Sequence, residues 1–357
     1  MIKFDKEFTE VDAFVKKNRN PDFGNLLRVL GREKPQRPTL FEFFMNDDIY
    51  ESLTQTISYN ESDTDFRWYR LIDAFRIAGY DYTTLTGSDF AFPSNRHQEK
   101  GQASLSLNAG AVIFDRESFD TYSWPDPASF DYSRLERLSK YLPEGMKFIV
   151  CGSCGVLENV IELVGYENLC YMTIDDPGLV REIVDSVGSR LVKYYEICSQ
   201  FDAVGALISN DDWGFNSQTM LSVEEMRKYI IPWHKKIVEV IHESGKPAIL
   251  HSCGMLDEVM DDITDVIKYN AKHSYEDKIL PVEKAYEKYN NRIAILGGLD
   301  LDFVCRSTPE EIYNRAVSML ELTASRGGYA LGSGNSIPYY IPWENYLAMI
   351  AAAVFNR

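Results

Sequence analysis

From Asp202 onward the sequence alternates between two kinds of segment, and that alternation restricts the fold more than any other feature. Short apolar runs, Ala203–Ile208, Pro247–Leu250, Ile293–Leu296 and Tyr329–Leu331, are separated by longer amphipathic stretches. The runs are too short for helices and lack the in-out alternation of a half-exposed strand. That suits strands buried on both faces of a parallel sheet. The stretches between them carry helix starts. Ser222 with Glu225 reads as a capping box, as does Thr308 with Glu311, where Pro309 takes the first helical position. Asp176-Pro177 opens a helix whose Leu179, Val180, Ile183, Val184, Val187, Leu191 and Val192 share one face. Pro232 predicts a kink or two abutting helices.

The first half continues the theme more loosely. Thr39–Phe44 and Lys147–Val150 read as strands, Arg67–Ala78 as a helix, and Ala103–Phe114 as an inserted hairpin. About eight strand–helix units over more than 300 residues predict an α/β fold, a (β/α)8 TIM barrel with inserts. The expected organisation is a single barrel domain over residues 36–357, preceded by an N-terminal helical extension over 1–35. A doubly wound dinucleotide fold fits less well, because Gly332-Ser333-Gly334 is followed by Ile337 where a third glycine should stand.

With 37 basic and 54 acidic residues the net charge is −17, which repels phosphate backbones and excludes nucleic acid as the expected partner. No apolar run approaches the roughly 20 residues that cross a bilayer. Six cysteines and a charged Met1–Glu7 stretch point to thiols in a cytoplasmic protein.

A barrel gathers its chemistry at the carboxyl ends of its strands. The segments there are Ser209-Asn210-Asp211-Asp212-Trp213-Gly214, His251-Ser252-Cys253-Gly254, His273-Ser274-Tyr275-Glu276-Asp277, Gly297-Gly298-Leu299-Asp300 and Gly332-Ser333-Gly334-Asn335. His251 and Cys253 are the sharpest pair, since alternate residues leaving a strand can reach one ion and imidazole with thiolate is a usual zinc set. Two readings stand at this point: a zinc pair that activates a substrate thiol, or a backbone-bonded histidine beside a buried thiol. Asp211 and Asp212 are candidates for accepting substrate protons or binding cationic groups. Glu276 and His273 are candidate ligands or acid/base groups. Cys151 and Cys154 have metal-pair spacing but no second pair, and read as small residues at a tight turn.

The chain resembles the uroporphyrinogen decarboxylase superfamily, including its corrinoid-dependent methyltransferase branch. The resemblance rests on Asp211-Asp212-Trp213-Gly214, His251-Ser252-Cys253-Gly254, Gly297-Gly298-Leu299-Asp300, Thr308-Pro309-Glu310-Glu311, and Gly332-Ser333-Gly334 followed by Pro342-Trp343-Glu344-Asn345. Near the N-terminus, Leu27–Leu30 and Pro35–Pro38 resemble the family's opening helix and first-strand entry. The true decarboxylases place paired arginines after the first strand, where this chain reads Phe41–Asp48 without one. The methyltransferases carry a His-x-Cys pair and a distant Cys as zinc ligands.

The resemblance therefore implies a zinc-assisted methyltransferase acting on a small-molecule substrate. Its cobalamin methyl carrier would be free or on a corrinoid protein partner, and the assembly is a candidate homodimer. His251 and Cys253 match the first two ligands. The third falls in the loop where this chain has Ser333, so Glu276 is the candidate third ligand. Asp212 and Glu276 take the catalytic roles, and Asn210, Asp211, Trp213, Ser333 and Asn335 face the substrate. The alternatives are a decarboxylase-type lyase of tetrapyrrole metabolism and a non-catalytic corrinoid or tetrapyrrole binder.

Overall fold

The computed structural model describes residues 2–95 and 106–356. Seven strands form one sheet in chain order: β1 (Tyr82–Thr86), β2 (Lys147–Cys151), β3 (Val204–Asn210), β4 (Ala248–His251), β5 (Ala271–His273), β6 (Ala294–Leu296) and β7 (Tyr329–Ala330). Every neighbouring pair is parallel. Helices connect the strands and cover the sheet, as parallel ladders require. The apolar runs behave as their composition demands: Ala206, Leu207, Ile208, Ala248, Ile249, Leu250, Ala294, Ile295 and Leu296 are all fully buried.

The structure adds one strand that the sequence pattern does not reveal and reduces another that it predicts. The strand Tyr82–Thr86 carries no aliphatic run. Thr83 and Thr84 are fully buried in it, so a strand of threonines and tyrosine escapes a hydrophobic pattern. The segment Thr39–Phe44, expected as a full strand, makes a single parallel bridge from Leu40 to Leu331. Its other side meets β1 through side chains rather than a backbone ladder, the Tyr82 hydroxyl donating to the Glu42 carbonyl and accepting from the Glu42 N–H, each at 2.7 Å. The sheet is thus a curled, TIM-like parallel sheet whose edges are tied together by residues 39–43. Of the expected Ala103–Phe114 hairpin, residues 103–105 lie outside the described residues, and 106–114 hold a turn and extended chain without a strand.

The helix signals are realised locally. Ser222 with Glu225 and Thr308 with Glu311 form reciprocal capping boxes. Pro232 stands at the start of the Ile231–Glu243 helix, directly after a π-helical turn over Met226–Ile230. A missing N–H is tolerated there because it falls where the hydrogen-bond pattern resets. At the N-terminus, Val11–Lys17 and Phe23–Leu30 are helices that lay Phe14, Phe23, Leu26 and Val29 into the core. The Phe8 ring stacks on Phe355 at 4.7 Å. Among the described residues no helix is long and apolar enough to cross a membrane.

Candidate metal centre at the strand ends

The parallel register places Asn210, His251 and His273 side by side at the carboxyl ends of β3, β4 and β5. Two residues beyond His251 the chain turns so that the Cys253 sulfur comes within 3.9 Å of His251 Nε2. From the neighbouring loop Asp212 accepts the Cys253 N–H at 2.9 Å, which fixes one carboxylate oxygen and draws the loop against the sulfur. One ligand atom from each of Asp212, His251 and Cys253 lies within 4.8 Å of the others, and this is the single such group among the described residues. Oxygen, imidazole nitrogen and sulfur at these separations suit a tetrahedral ion with bonds of about 2.0–2.3 Å, zinc first among them.

Burial governs the charges here. Desolvation, and then the Lys272 ammonium, push His251 down to about 3, so its imidazole is neutral. Desolvation first and Asp212 second hold the Cys253 thiol well above its ordinary value. Desolvation also raises Asp212. A cation reverses this logic, because it favours the deprotonated form of each ligand.

Around the three groups sits a layer of oriented side chains. His251 Nδ1 lies 2.8 Å from His273 Nδ1, and His273 Nε2 lies 3.1 Å from the Ser333 carbonyl oxygen. The rings of Phe43 and Phe41 press on His251 and His273, with centroids 4.7 and 5.1 Å away. Asn335 Nδ2 donates to the Cys253 sulfur at 3.2 Å. Lys272, buried on β5, donates to the carbonyls of Ser252 at 3.2 Å and Ser274 at 2.7 Å, and desolvation lowers it to about 8.

The structure separates the residues singled out in the sequence. His251, Cys253, Asp212 and Asn335 converge. Asn210 stands beside His251 with its Oδ1 buried and without a partner. Asp211 and Trp213, expected to face substrate, are fully buried elsewhere. The Asp211 carboxylate accepts the Leu157 and Glu158 N–H groups at the start of the Val156–Val164 helix, the Trp213 indole N–H and His234 Nε2–H, all at 2.8–2.9 Å. A Cβ on Gly155 would lie 2.0 Å from that of Asp211, so only glycine lets this helix end approach.

Ser333 is also turned away from the sulfur. Its Oγ lies 2.6 Å from Glu42 Oε1 and donates to the Asn335 carbonyl, and its N–H donates to Glu42 Oε2. Glu276 does not join the three-ligand group. It is half-buried and lines a cavity of about 30 Å³ with Lys272, Ser274 and Tyr275, its carboxyl raised by desolvation and then by Asp300 and Asp212. His273 has both nitrogens engaged and offers no ligand atom. Cys151 is buried at the end of β2, and Cys154 follows at positive φ.

Sequence reading missed Lys272, Glu42 and the buried His234–Tyr269 contact, in which His234 Nδ1 lies 2.7 Å from the Tyr269 hydroxyl. Two signals existed: a lysine inside the short strand Ala271–His273, and a lone acid within Leu40-Phe41-Glu42-Phe43-Phe44.

A sequence model of the uroporphyrinogen decarboxylase (URO-D) family matches residues 112–354. Among solved structures the fold is similar to a methyltransferase from Methanosarcina mazei, with a TM-score of 0.67 and 16% sequence identity over 92% of this chain and 97% of that one. A xylanase B from Clostridium stercorarium F9 aligns at a TM-score of 0.40 and 11% identity, over 62% of this chain and 84% of that one. No curated protein matches the sequence. The matched stretch covers more than half of the chain and contains β2 to β7 with their strand-end loops, so the chain belongs to the uroporphyrinogen decarboxylase family.

Proposed function

We propose that this chain is a zinc-assisted methyltransferase passing a methyl group between a corrinoid and a small acceptor such as a thiol. The scaffold would be an eight-position barrel domain over residues 36–357, with residues 39–43 in the first strand position and 1–35 as a helical extension. The observation that carries the reading is the meeting of Asp212, His251 and Cys253 ligand atoms within 4.8 Å. The likeness to a methyltransferase is a reason to test methyl transfer first. A corrinoid protein partner, a homodimer and a cytoplasmic location belong to the same proposal. Phe41–Asp48 holds no arginine to bind a polycarboxylate, which disfavours a decarboxylase-type lyase.

Zinc, when bound, supplies the Lewis acidity that lowers the pKa of a coordinated thiol. The chain's own residues do the rest. Asn335 steadies the Cys253 sulfur through its N–H. Phe43 packs its ring against the imidazole and holds it in place. Lys272 offsets the negative charge of Cys253 and Asp212. Asn210, beside His251 at the strand ends, orients the substrate. Glu276 holds or releases a proton in the adjoining cavity.

Purified full-length protein should contain about one zinc per chain, and His251→Ala should lower both zinc content and methyl transfer from methylcobalamin to a small thiol at least about 100-fold. Protein free of zinc whose activity is untouched by His251→Ala contradicts the proposal. The identity of the third ligand gives a second prediction. Asp212→Ala should weaken zinc binding by about 100-fold, whereas Glu276→Gln should change it less than about threefold. Competition against a chromogenic chelator reads both, and the reverse ranking would restore Glu276 as the ligand.

A further inference from the structure

We infer that His273 is a positioning residue that fixes the proton of His251 on Nδ1, so that His251 Nε2 faces Cys253 and Asp212 as a bare lone pair. The inference rests on the metal-centre reading above and explains how this chain prepares its imidazole before any ion arrives.

The Ser333 carbonyl oxygen can only accept, so the nitrogen 3.1 Å from it, His273 Nε2, must carry a hydrogen. That carbonyl is itself held in place. It accepts the Gly298 N–H at 2.7 Å, and the Ser333 N–H is tied to Glu42. Gly297, at φ +65°, clears the approach, since a Cβ there would lie 2.2 Å from the Ser333 oxygen and 2.9 Å from His273 Nε2.

His273 is fully buried, contacts the Phe41 ring and has no carboxylate at either nitrogen, so it is neutral and its Nδ1 is an acceptor. Two ring nitrogens 2.8 Å apart cannot both be acceptors. His251 Nδ1 must therefore donate, which leaves its Nε2 unprotonated at 3.9 Å from the Cys253 sulfur. The opposite tautomer would aim an N–H at the place where an ion must sit and would set two lone pairs against each other. A metal-binding histidine generally gives its second N–H to an acceptor that fixes ring and tautomer. Here that acceptor is another histidine, backed by a backbone carbonyl.

The chain has five histidines, so selective ¹⁵N labelling of the full-length protein gives a spectrum simple enough to read each tautomer directly. Without added metal, His251 should be protonated on Nδ1 and His273 on Nε2; His251 protonated on Nε2 overturns the inference. Cobalt(II) titration, followed by its visible and thiolate charge-transfer bands, provides a second measurement. Glutamine can reproduce both hydrogen bonds, its amide donating to Ser333 and its carbonyl accepting from His251. His273→Gln should therefore bind cobalt within about threefold of the native chain, while His273→Phe should bind about 10- to 100-fold more weakly. Equal binding by native and Phe variants overturns the inference and leaves the metal centre standing. A native chain that binds no cobalt or zinc removes the metal-centre reading itself, whatever the tautomers are.

Discussion

Asp211→Ala should destabilise the protein by about 4 kcal/mol or more, the cost of leaving several buried donors without an acceptor at about 1–3 kcal/mol each. The Asp211 carboxylate takes two backbone N–H groups at the start of the Val156–Val164 helix, the Trp213 indole and His234, and Asp211, Leu157, Trp213 and His234 are fully buried. Asp211→Asn should cost less, about 2 kcal/mol, because its remaining oxygen can keep the crowded Oδ2 position while only the Glu158 N–H loses its partner. Urea unfolding monitored by tryptophan fluorescence separates the two variants. The same experiment decides the role of Asp211. A stable Asp211→Ala protein with a raised KM would return this residue to the substrate, where the sequence first placed it.

Glu42→Gln should stabilise the protein at alkaline pH and leave it unchanged near pH 4.5. Glu42 is fully buried, and desolvation raises its carboxyl from 4.5 to about 8 against the opposing pull of the Ser333 hydrogen bonds. Proton counting agrees with a protonated acid. When Glu42 is protonated, its Oε1–H donates to Ser333 Oγ 2.6 Å away and the Ser333 hydroxyl is free to donate to the Asn335 carbonyl; when it is ionised, both oxygens compete for the one hydroxyl hydrogen.

Between pH 4.5 and about 8 the folded chain keeps this proton while the unfolded chain has lost it. Stability from this group is therefore fully present below pH 4.5, falls as pH rises towards the folded value, and levels off beyond it. The loss is on the order of 5 kcal/mol across that window. Glutamine imitates the protonated acid at every pH, donating to Ser333 Oγ and accepting the Ser333 N–H. Unfolding free energies of both proteins at pH 5, 7 and 9 should diverge steadily, with the variant more stable at pH 9. Parallel curves would show that Glu42 is ionised in the folded chain. Because the Glu42–Ser333 contact also anchors the carbonyl behind His273, the variant tests stability without unseating the metal centre.

Some of this molecule is written locally. Capping boxes at Ser222 and Thr308 need only residues three apart, and they form where the sequence puts them. Fully apolar runs between amphipathic helices suit parallel strands buried on both faces, and Ala206–Ile208, Ile249–Leu250 and Ala294–Leu296 are so buried. His-x-Cys at a strand end was visible for the same reason, since both residues leave one strand and their spacing is a local fact. The strand Tyr82–Thr86 was not visible, because burying threonine hydroxyls depends on partners far away in the chain.

What the sequence determined by itself is therefore the alternation, the helix starts and the His251–Cys253 pair: features within the reach of a few residues. What only the tertiary structure decided is how the strand-end polar groups divide. Asp211 and Asp212 are adjacent in sequence yet go to opposite tasks, one sealed against a helix start and the other bonded to the Cys253 N–H among the ligand atoms. Ser333 turns to Glu42, 291 residues distant, while its carbonyl holds His273. A side chain's chemistry is fixed by its composition, but its role is fixed by which buried donor or acceptor lies opposite it, and that is set by the register of strands that only folding brings together.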